Sequence, residues 1–141
     1  MHRADDCIFC MIVSGEAPCS RVYEDELVIV FMDIYPASRG HTLVVPKEHF
    51  RDILHIDDEP MRAVASVARR VAAAIEATLT PDGISVVQGN GTAAGQTVMH
   101  YHVHLLPRTT GAKMRLHGPR QAEQTELDEV ASALTNALGV E

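Results

Sequence analysis

Apolar and polar residues along the first half of the chain predict a series of short strands. Arg21 to Glu24 and Leu27 to Met32 are rich in Val, Ile, Tyr and Phe, and the acidic pair Glu24-Asp25 lies between them. This arrangement predicts an antiparallel hairpin. His41 to Pro46 predicts a third strand, which ends at a proline that cannot donate a ladder hydrogen bond. Upstream, the short apolar segment Ile8 to Val13 predicts one or two helical turns.

A helical period follows the segment Asp57-Asp58-Glu59-Pro60. This segment offers a capping residue, acidic side chains near the positive end of a helix and an early proline. The apolar positions after it indicate one long helix with a single buried face, ended by Pro81-Asp82-Gly83. These positions are Met61, Val64, Val67, Ala68, Val71, Ile75 and Leu79.

Two further strands and a final helix are predicted in the second half of the chain. Ile84 to Val87 predicts a fourth strand, and Val98 to Leu106 predicts a fifth that Pro107 ends. Thr125 is expected to cap the last helix, with Asp128 three residues later. Strands joined by short turns, together with two helices, indicate an α+β fold around an antiparallel five-stranded sheet. The apolar face of the last helix comprises Leu127, Val130, Ala131, Leu134 and Leu138.

Length and composition limit the architecture further. The 141 residues fit one domain over 1–141, and 46% hydrophobic with 22% charged residues is ordinary globular composition. The longest apolar run, Leu27 to Met32, is too short to cross a bilayer, and the N-terminal residues lack the pattern of a secretory signal. We therefore expect a cytoplasmic protein that does not interact with membranes.

Net charge and cysteine spacing narrow the classes of ligand. The formal charge of -7 argues against binding a nucleic acid polymer, which attracts basic surfaces. A single nucleotide stays compatible with this charge, because backbone N–H groups and histidines can hold phosphate. Two of the three cysteines form the pair Cys7-x-x-Cys10, which in an intracellular chain suggests a metal site or a redox pair.

Three of the eight histidines lie at alternate positions of the fifth predicted strand. His100, His102 and His104 therefore share one face, about 6 to 7 Å apart, because side chains alternate along a strand. A solvated strand face that happens to contain histidine is one alternative. A three-histidine metal site is another, although three ligands along one strand converge poorly on a single ion. The opposite face, formed by Met99, Tyr101, Val103 and Leu105, is expected to enter the core.

A glycine-containing loop precedes the histidine segment. Gly89 to Gly91 and Gly95 to Thr97 let the backbone approach a ligand closely. Amide N–H groups near Thr97 and Val98 can donate to phosphate oxygens, as can the side chains of Asn90, Gln96 and Thr97. Glycine-rich segments of this kind also occur simply as turns.

Together these segments resemble the histidine triad (HIT) family. Its signature alternates three histidines with apolar residues, and His100 to Leu106 matches it with Tyr101 in one apolar position. The resemblance covers about residues 7 to 108 and leaves 109–141 as an extension that contains the last helix. It implies a homodimer with a continuous sheet and a purine nucleotide bound at the sheet surface. Upstream matches are Ile8-Phe9, Phe31-x-Asp33-Ile34, Gly40 to Lys47, Asn90 and Gly95 to Val98.

The resemblance implies a role for each histidine near the phosphate. His102 would attack the α-phosphorus and form a covalent nucleotidyl-histidine that water then cleaves. His104 would assist the leaving group as a general acid, and His41 would lie near the same phosphate. The residues implied to hold the phosphate oxygens are Asn90, Gly95, Gln96, Thr97 and Val98.

The rest of the implied nucleotide site consists of one acid and an apolar slot. Asp33 matches the family acid that accepts hydrogen bonds from both ribose hydroxyls. The slot for the base corresponds to Ile8, Ile12, Phe31 and Ile34, for which ordinary core packing is the alternative.

The resemblance also implies a structural zinc ion. The Hint-type branch of the family carries zinc at positions that match Cys7, Cys10, His49 and His100. Two thiolates and two imidazoles complete a tetrahedron and leave no position for water, so the role would be structural. A redox function of the cysteine pair and a pair of idle thiols are the alternatives.

The function that the resemblance implies is hydrolysis of purine nucleoside phosphoramidates or related nucleotides of the AMP or GMP type. The third histidine, His104, favours hydrolysis because the transferase branch has glutamine there. A dinucleoside polyphosphate hydrolase, similar to the fragile-histidine-triad branch, is one alternative. A nucleotide-binding protein with vestigial activity is the other.

Overall fold

The computed structural model describes residues 2–139, so residues 1, 140 and 141 of the expected domain lie outside the described part. The predicted α+β fold with an antiparallel five-stranded sheet, one long helix and a C-terminal helix is confirmed. In chain order the elements are α1 (Ile8–Ser14), β1 (Arg21–Glu24), β2 (Val28–Met32), β3 (Thr42–Pro46), α2 (Asp58–Leu79), β4 (Gly83–Val87), a 3₁₀ turn (Thr92–Ala94), β5 (Val103–Arg108) and α3 (Gln124–Leu138).

The strand order in the sheet is β1-β2-β3-β5-β4, and every neighbouring pair is antiparallel. The predicted hairpin is formed by β1 and β2, in which Tyr23 pairs with Val30. Its turn is closed by the Asp25 carboxylate, which accepts hydrogen bonds from the backbone N–H groups of Leu27 and Val28. Asp25 therefore acts as a turn residue by binding the backbone that follows it.

The two faces of the sheet bury different parts of the chain. On one face, alternate residues of the central strands pack with α2 and α3, as Val30 and Leu105 do. On the other face, Ile29 and Leu43 pack beneath α1. Residue His104 pairs with Leu43 across β3 and β5, so it lies on the α1 face. Strands covered on both sides read as continuous apolar runs, which explains why β2 and β3 are buried throughout.

The predicted start of β5 at Val98 is wrong, because the strand begins at Val103. Val103 pairs with Val44, so residue Tyr101 would lie opposite Pro46, which has no N–H to donate. The N–H of Tyr101 instead donates to the carbonyl of Phe50 over 2.6 Å. Tyr101, Val103 and Leu105 enter the core as predicted, whereas Met99 is half-buried outside it.

The predicted end of β5 before Pro107 is also wrong, since the strand continues to Arg108. The Pro107 carbonyl accepts a hydrogen bond from the Ser38 hydroxyl over 2.6 Å. In a strand, the carbonyl and the nitrogen of one residue point to the same side, so the nitrogen of Pro107 also points toward Ser38, on the β3 side of β5. The pairing of β5 with β3 ends at Leu105 and does not reach Pro107. The missing N–H of Pro107 therefore costs no ladder hydrogen bond.

The two long helices confirm the predicted apolar faces except at Met61, which is exposed in the first turn of α2, and they do not confirm the predicted caps. Asp57 precedes α2 without a side-chain capping bond, and Thr80 ends the helix in the left-handed region (φ 45°). The last helix begins at Gln124, so Thr125 lies inside it. The Asp128 carboxylate accepts hydrogen bonds from Ser20 and Gln124 instead of forming a capping box. Within residues 2–139, no helix combines the length and apolar character that a membrane crossing requires.

Candidate functional site

A cavity of about 550 Å³ opens on the α1 face of the sheet. Its volume lies within the range of about 300 to 1,000 Å³ that is usual for small-molecule sites. Rings of its wall are in direct contact: Phe9 lies 5.3 Å from Phe31 and 5.1 Å from His102 between ring centroids. The apolar part of the wall therefore adjoins the histidines. Of the residues proposed from the sequence, the cavity wall contains Ile8, Ile12, Phe31, Asp33, Ile34, Thr97, Val98, His102 and His104.

The tautomer of His102 follows from its hydrogen bond. Its Nδ1 lies 2.6 Å from the carbonyl oxygen of His100, and a carbonyl can only accept, so Nδ1 carries the proton. Burial lowers the pKa of His102, which keeps the ring neutral near pH 7. The lone pair of the neutral ring is therefore on Nε2. This atom bonds to no group in residues 2–139, and every buried side-chain polar atom there has a partner, so Nε2 reaches the cavity.

The proton of His104 can be located by the same reasoning. The N–H of Ala37 donates to Nδ1 of His41 over 3.0 Å, so the neutral His41 ring carries its proton on Nε2. His41 Nε2 then donates to Nδ1 of His104 over 2.8 Å. The proton of a neutral His104 ring is consequently on Nε2. A backbone amide thus determines which nitrogen of His104 can donate a proton.

Burial keeps the imidazoles of His41 and His104 neutral. It lowers the pKa of His41 to about 3, with a further contribution from the nearby His104. It lowers the pKa of His104 to about 3 as well, and the neighbouring imidazoles of His102 and His117 contribute to this decrease. An imidazolium that is removed from water loses its hydration, and this loss is the largest contribution at both rings. Both rings therefore act near neutral pH as hydrogen-bonded neutral groups.

Asp33 lies beside the histidine pair on the cavity wall. One carboxylate oxygen accepts the N–H of Tyr35 over 2.8 Å, and the other lies 3.5 Å from Nε2 of His41. Burial raises the pKa of Asp33, and the Tyr35 N–H and His117 partly offset this rise. Asp33, His41 and His104 have the residue types of a metal site. The N–H of Ala37 already donates to Nδ1 of His41, so a metal ion on Nε2 would require the ring to be an imidazolate. The geometry therefore favours a hydrogen bond from His41 Nε2 to His104 over a metal ion at this position.

The side chains of two predicted phosphate ligands are occupied within their loop. The Gln96 amide accepts from the N–H of Gly91 and donates to the carbonyls of Arg51 and Val98, which satisfies both of its N–H bonds. The Asn90 oxygen accepts from the N–H of Ile53 over 2.8 Å. Neither side chain lines the cavity, and Gly95 and His41 lie behind its wall as well. The structure therefore brings Thr97 and Val98 of this loop to the cavity.

Gly95 allows this loop to turn just before Thr97. Its φ of +90° lies in the left-handed region, and its N–H closes the 3₁₀ turn by donating to the Thr92 carbonyl. A side chain at this position would strain the backbone. The contribution of Gly95 to the site is thus conformational.

A second cluster brings together the four residues predicted to bind metal: Cys7, Cys10, His49 and His100. Their candidate ligand atoms all lie within 4.8 Å of one another. Three of the four Sγ–Nδ1 separations are 3.4 to 3.6 Å, and the two Nδ1 atoms are 3.1 Å apart. A tetrahedron with Zn–S of about 2.3 Å and Zn–N of about 2.0–2.1 Å has S–N edges of about 3.5 Å and an N–N edge of about 3.3 Å. The donor set therefore fits a tetrahedral ion.

His100 links this cluster to the cavity. Its Nε2 donates to the Pro46 carbonyl over 2.8 Å, so its Nδ1 lone pair faces the two cysteines. Ligating histidines commonly donate their second N–H in this way. The His100 carbonyl also binds His102, which couples the position of the cluster to the orientation of the His102 ring.

His117 is a cavity residue that sequence reasoning missed. It belongs to the irregular segment after β5. It is exposed, but its ring lies 5.8 Å from that of His104 at an interplanar angle of 80°. The segment has no hydrophobic period, so the sequence contains no signal for this contact.

Comparison with known proteins agrees with this arrangement. The HIT domain family matches residues 14–111. Protein hit of Bacillus subtilis is 43% identical over 98% of this chain and 98% of its own length. Adenylylsulfatase HINT3 of Arabidopsis thaliana is 31% identical over 95% of this chain and 68% of its own length.

Solved structures are similar over nearly the whole chain. A Zn-bound histidine triad family protein from Mycobacterium smegmatis has a TM-score of 0.83 at 40% identity, over 95% of this chain and 94% of that one. A hypothetical histidine triad nucleotide-binding protein from Sulfolobus tokodaii has a TM-score of 0.86 at 31% identity, over 94% and 92%. Family match, identity and fold lead to one conclusion: the chain belongs to the HIT family, a superfamily of nucleotide-binding proteins and hydrolases.

Proposed function

We propose that this chain hydrolyses purine nucleoside phosphoramidates or related nucleotides at the α-phosphorus through a covalent nucleotidyl-His102. The observation that carries this proposal is the pair of proton positions in the cavity. His102 offers an unprotonated Nε2, and the neighbouring His104 offers a protonated Nε2. The two rings are 4.9 Å apart between centroids. An unprotonated nucleophile and an adjacent hydrogen-bond donor for the leaving group both favour displacement at phosphorus.

The proposed reaction has two balanced steps. In the first, the His102 Nε2 lone pair forms a bond to the α-phosphorus while the bond to the leaving group breaks; His104 Nε2 donates a hydrogen bond to the leaving atom and keeps its proton, and a leaving amine takes its proton from solvent. In the second, water attacks the phosphorus, the P–N bond breaks with its electron pair returning to His102 Nε2, and the proton of the attacking water passes to solvent. His41 holds the opposite nitrogen of His104 throughout. A neutral imidazole that lost its one proton would become an imidazolate, so His104 assists the leaving group as a hydrogen-bond donor and not by transferring its proton.

The remainder of the cavity supports a nucleotide as the substrate. Phe9, Phe31 and Ile8 provide apolar surface for a base, and Asp33 provides a carboxylate for ribose hydroxyls. One similar structure is described as nucleotide-binding, and one similar curated protein is named an adenylylsulfatase. We infer a purine nucleotide of the AMP or GMP type, since a 550 Å³ cavity accommodates a bicyclic base. The alternative is a protein that binds a nucleotide without turning it over, and trapping of the intermediate distinguishes it from an enzyme.

The proposal includes a structural zinc ion held by Cys7, Cys10, His49 and His100. Support comes from the tetrahedral separations of the four donors and from a similar structure described as Zn-bound. Such an ion would fasten α1 to the segment that carries His102. All four coordination positions are taken by protein, so the ion would leave none for a reacting water.

A homodimer completes the proposal. β4 is an edge strand that pairs with β5 on one side, and its Val86 side chain is 63% exposed. An exposed apolar side chain on a sheet edge is typical of a strand that pairs with another chain. Sedimentation at equilibrium tests this part, because a monomer at micromolar concentration contradicts it. The cytoplasmic location stays a prediction.

Trapping the intermediate tests the function. Wild-type protein is mixed with an adenosine 5′-phosphoramidate, quenched within milliseconds and digested, and the adenylylated peptide is sequenced. We expect AMP on His102, and we expect His102→Ala to lower kcat by about 10³-fold or more. His55→Ala is the matched control, because His55 is an exposed histidine that contacts Asp52 and not the cavity.

Three outcomes would redirect the proposal. An adduct on another residue, or a kcat of His102→Ala near that of wild type, contradicts the mechanism. Faster turnover of a diadenosine polyphosphate than of the phosphoramidate identifies the dinucleoside polyphosphate hydrolase instead. AMP binding without turnover of either compound identifies a nucleotide-binding protein with vestigial activity.

A further inference from the structure

The segment 115–122, here called the strap, forms part of the cavity wall between β5 and α3. Three hydrogen bonds to its backbone hold it: the Arg115 carbonyl accepts from the Arg108 guanidinium, and the N–H groups of Gly118 and Ala122 donate to carbonyls of the loop that follows Asp33. A Cβ atom at Gly118 would collide with the Pro36 carbonyl, so backbone packs directly on backbone there. The strap is therefore a fixed part of the wall.

This anchoring places His117 against the histidine pair. Three imidazoles surround His104: His41, His102 and His117. The first two are buried, whereas His117 is exposed and lines the cavity. His117 consequently lies on the solvent side of His104, the residue that contacts the leaving group in the proposed mechanism.

The charge of this part of the chain differs from that of the whole. The protein has a net charge of -7, yet residues 109–122 contain Lys113, Arg115 and Arg120 and no acidic residue. A local excess of basic groups raises the concentration of anions at the surface nearby. The strap thus combines an N–H donor beside His104 with two basic residues, Arg115 and Arg120.

From these observations we propose that His117 contacts the leaving group and, among mononucleotide substrates, favours those in which that group is a second anion, such as sulfate or phosphate joined to the α-phosphate. The inference rests on the proposed function and names a preferred substrate class for the same cavity. A phosphoramidate with a neutral leaving amine gains little from His117. An anionic leaving group gains a hydrogen bond that strengthens as charge develops.

The assigned step is balanced without an additional reactant. His102 Nε2 forms the bond to phosphorus, the bridging P–O bond breaks, and its electron pair stays on the departing sulfate or phosphate oxygen. His117 donates an N–H hydrogen bond to that oxygen and keeps its proton. The water step that follows is unchanged.

Leaving-group selectivity provides the kinetic test, with full-length, zinc-loaded protein. The two substrates share AMP and differ in the leaving group: adenosine 5′-phosphosulfate and an adenosine 5′-phosphoramidate with a neutral amine. We expect His117→Ala to lower kcat/KM for the phosphosulfate by about 10-fold or more and for the phosphoramidate by less than about threefold. His117→Gln, which retains an N–H donor, should recover part of the loss. Met114→Ala is the control, because Met114 precedes the strap, is 72% exposed and does not line the cavity.

A binding measurement keeps the inference testable if turnover is absent. Calorimetric titration compares AMP with α,β-methylene-ADP, whose second phosphate occupies the leaving-group position and cannot be cleaved. His117→Ala should weaken methylene-ADP about fivefold or more and AMP by less than about twofold.

The outcomes separate the two proposals. Equal losses on both substrates, or on both ligands, would mean that His117 only supports the wall, and no loss on any of them would mean that it makes no contact. Either result overturns the role of His117 while a His102 adduct still supports the reaction. A missing adduct in wild type overturns the proposed function, and the binding comparison then decides the role of His117 alone.

Discussion

Nε2 of His41 donates to Nδ1 of His104 over 2.8 Å, and both rings are buried. The N–H of Ala37 determines the direction of this bond, since it occupies the other nitrogen of His41. The proton that His104 holds toward the cavity is therefore maintained by backbone geometry. A neutral imidazole held in this way retains its proton as long as the buried pair stays neutral.

The buried histidine pair should make stability depend on pH. The pKa values of His41 and His104 fall from an ordinary 6.5 to about 3 in the folded protein, so the unfolded chain binds protons in this interval and the folded chain does not. The free energy of unfolding is consequently highest above pH 6.5 and falls as pH decreases toward 3. Each group contributes a slope of about 1.4 kcal/mol per pH unit well below 6.5. Urea unfolding between pH 4 and 7.5 measures this slope.

The variant His104→Gln removes the contribution of one histidine to the pH dependence of the free energy of unfolding. The Gln oxygen can accept from His41, so the neighbour stays buried and bonded, while one titrating group is lost. We expect the slope below pH 6 to fall by about 1.4 kcal/mol per pH unit. His55→Gln removes an exposed histidine and serves as the control. If the slope is the same in His104→Gln and wild type, His104 binds a proton as readily in the folded protein as in the unfolded chain, which contradicts the prediction.

Asp33→Asn should abolish the preference for a ribose. An ionised carboxylate accepts hydrogen bonds from two hydroxyls, whereas an amide has one accepting oxygen. We expect wild type to bind AMP about 10-fold or more tightly than its 2′,3′-dideoxy analogue, and Asp33→Asn to bind the two within about threefold of each other. Calorimetric titration gives both ratios. An unchanged preference in Asp33→Asn would remove Asp33 from the ribose site.

Features with a local origin were predictable from the sequence. The hairpin follows from two β-rich runs around an acidic turn, and α2 follows from its period over 22 residues. The HIT resemblance suggested the four metal candidates, and they do converge in space. In each case the signal lies in residue type and spacing, which the fold then preserves.

Features that depend on distant partners were not predictable. The start of β5 depends on the register that places Pro46 opposite Tyr101, and no property of the strand itself encodes it. The Asp128 side chain binds Ser20, a residue 108 positions away, instead of capping α3. Gln96 was assigned to phosphate by resemblance, but its amide is saturated by backbone groups that only the folded loop brings near. Tertiary contacts override local patterns at these places.

Removing one cysteine should release zinc and lower stability. Cys10→Ser replaces a thiolate ligand by a poor one, whereas Cys19→Ser changes a thiol outside the cluster and is the matched control. We expect about one zinc per chain in wild type and in the control, and much less in Cys10→Ser. The free energy of unfolding should fall by about 2–5 kcal/mol, because binding energy of a structural ion is folding energy. Metal analysis by mass spectrometry with urea unfolding measures both, and zinc-free wild type, or full zinc in Cys10→Ser, contradicts the site.

Gly118→Ala should loosen the strap and weaken nucleotide binding. The added methyl group would collide with the Pro36 carbonyl, and neither backbone can yield without breaking the bond between Gly118 N–H and the Tyr35 carbonyl, which is 2.9 Å long. We expect a stability loss of about 1–3 kcal/mol, typical of overpacking, and weaker AMP binding because Tyr35 and Gln121 leave their places in the wall. Gly83→Ala is the control, since a Cβ there meets no atom within 4 Å. Calorimetry of AMP binding and thermal unfolding of both variants test this, and wild-type affinity in a folded Gly118→Ala would mean that the strap does not form the nucleotide site.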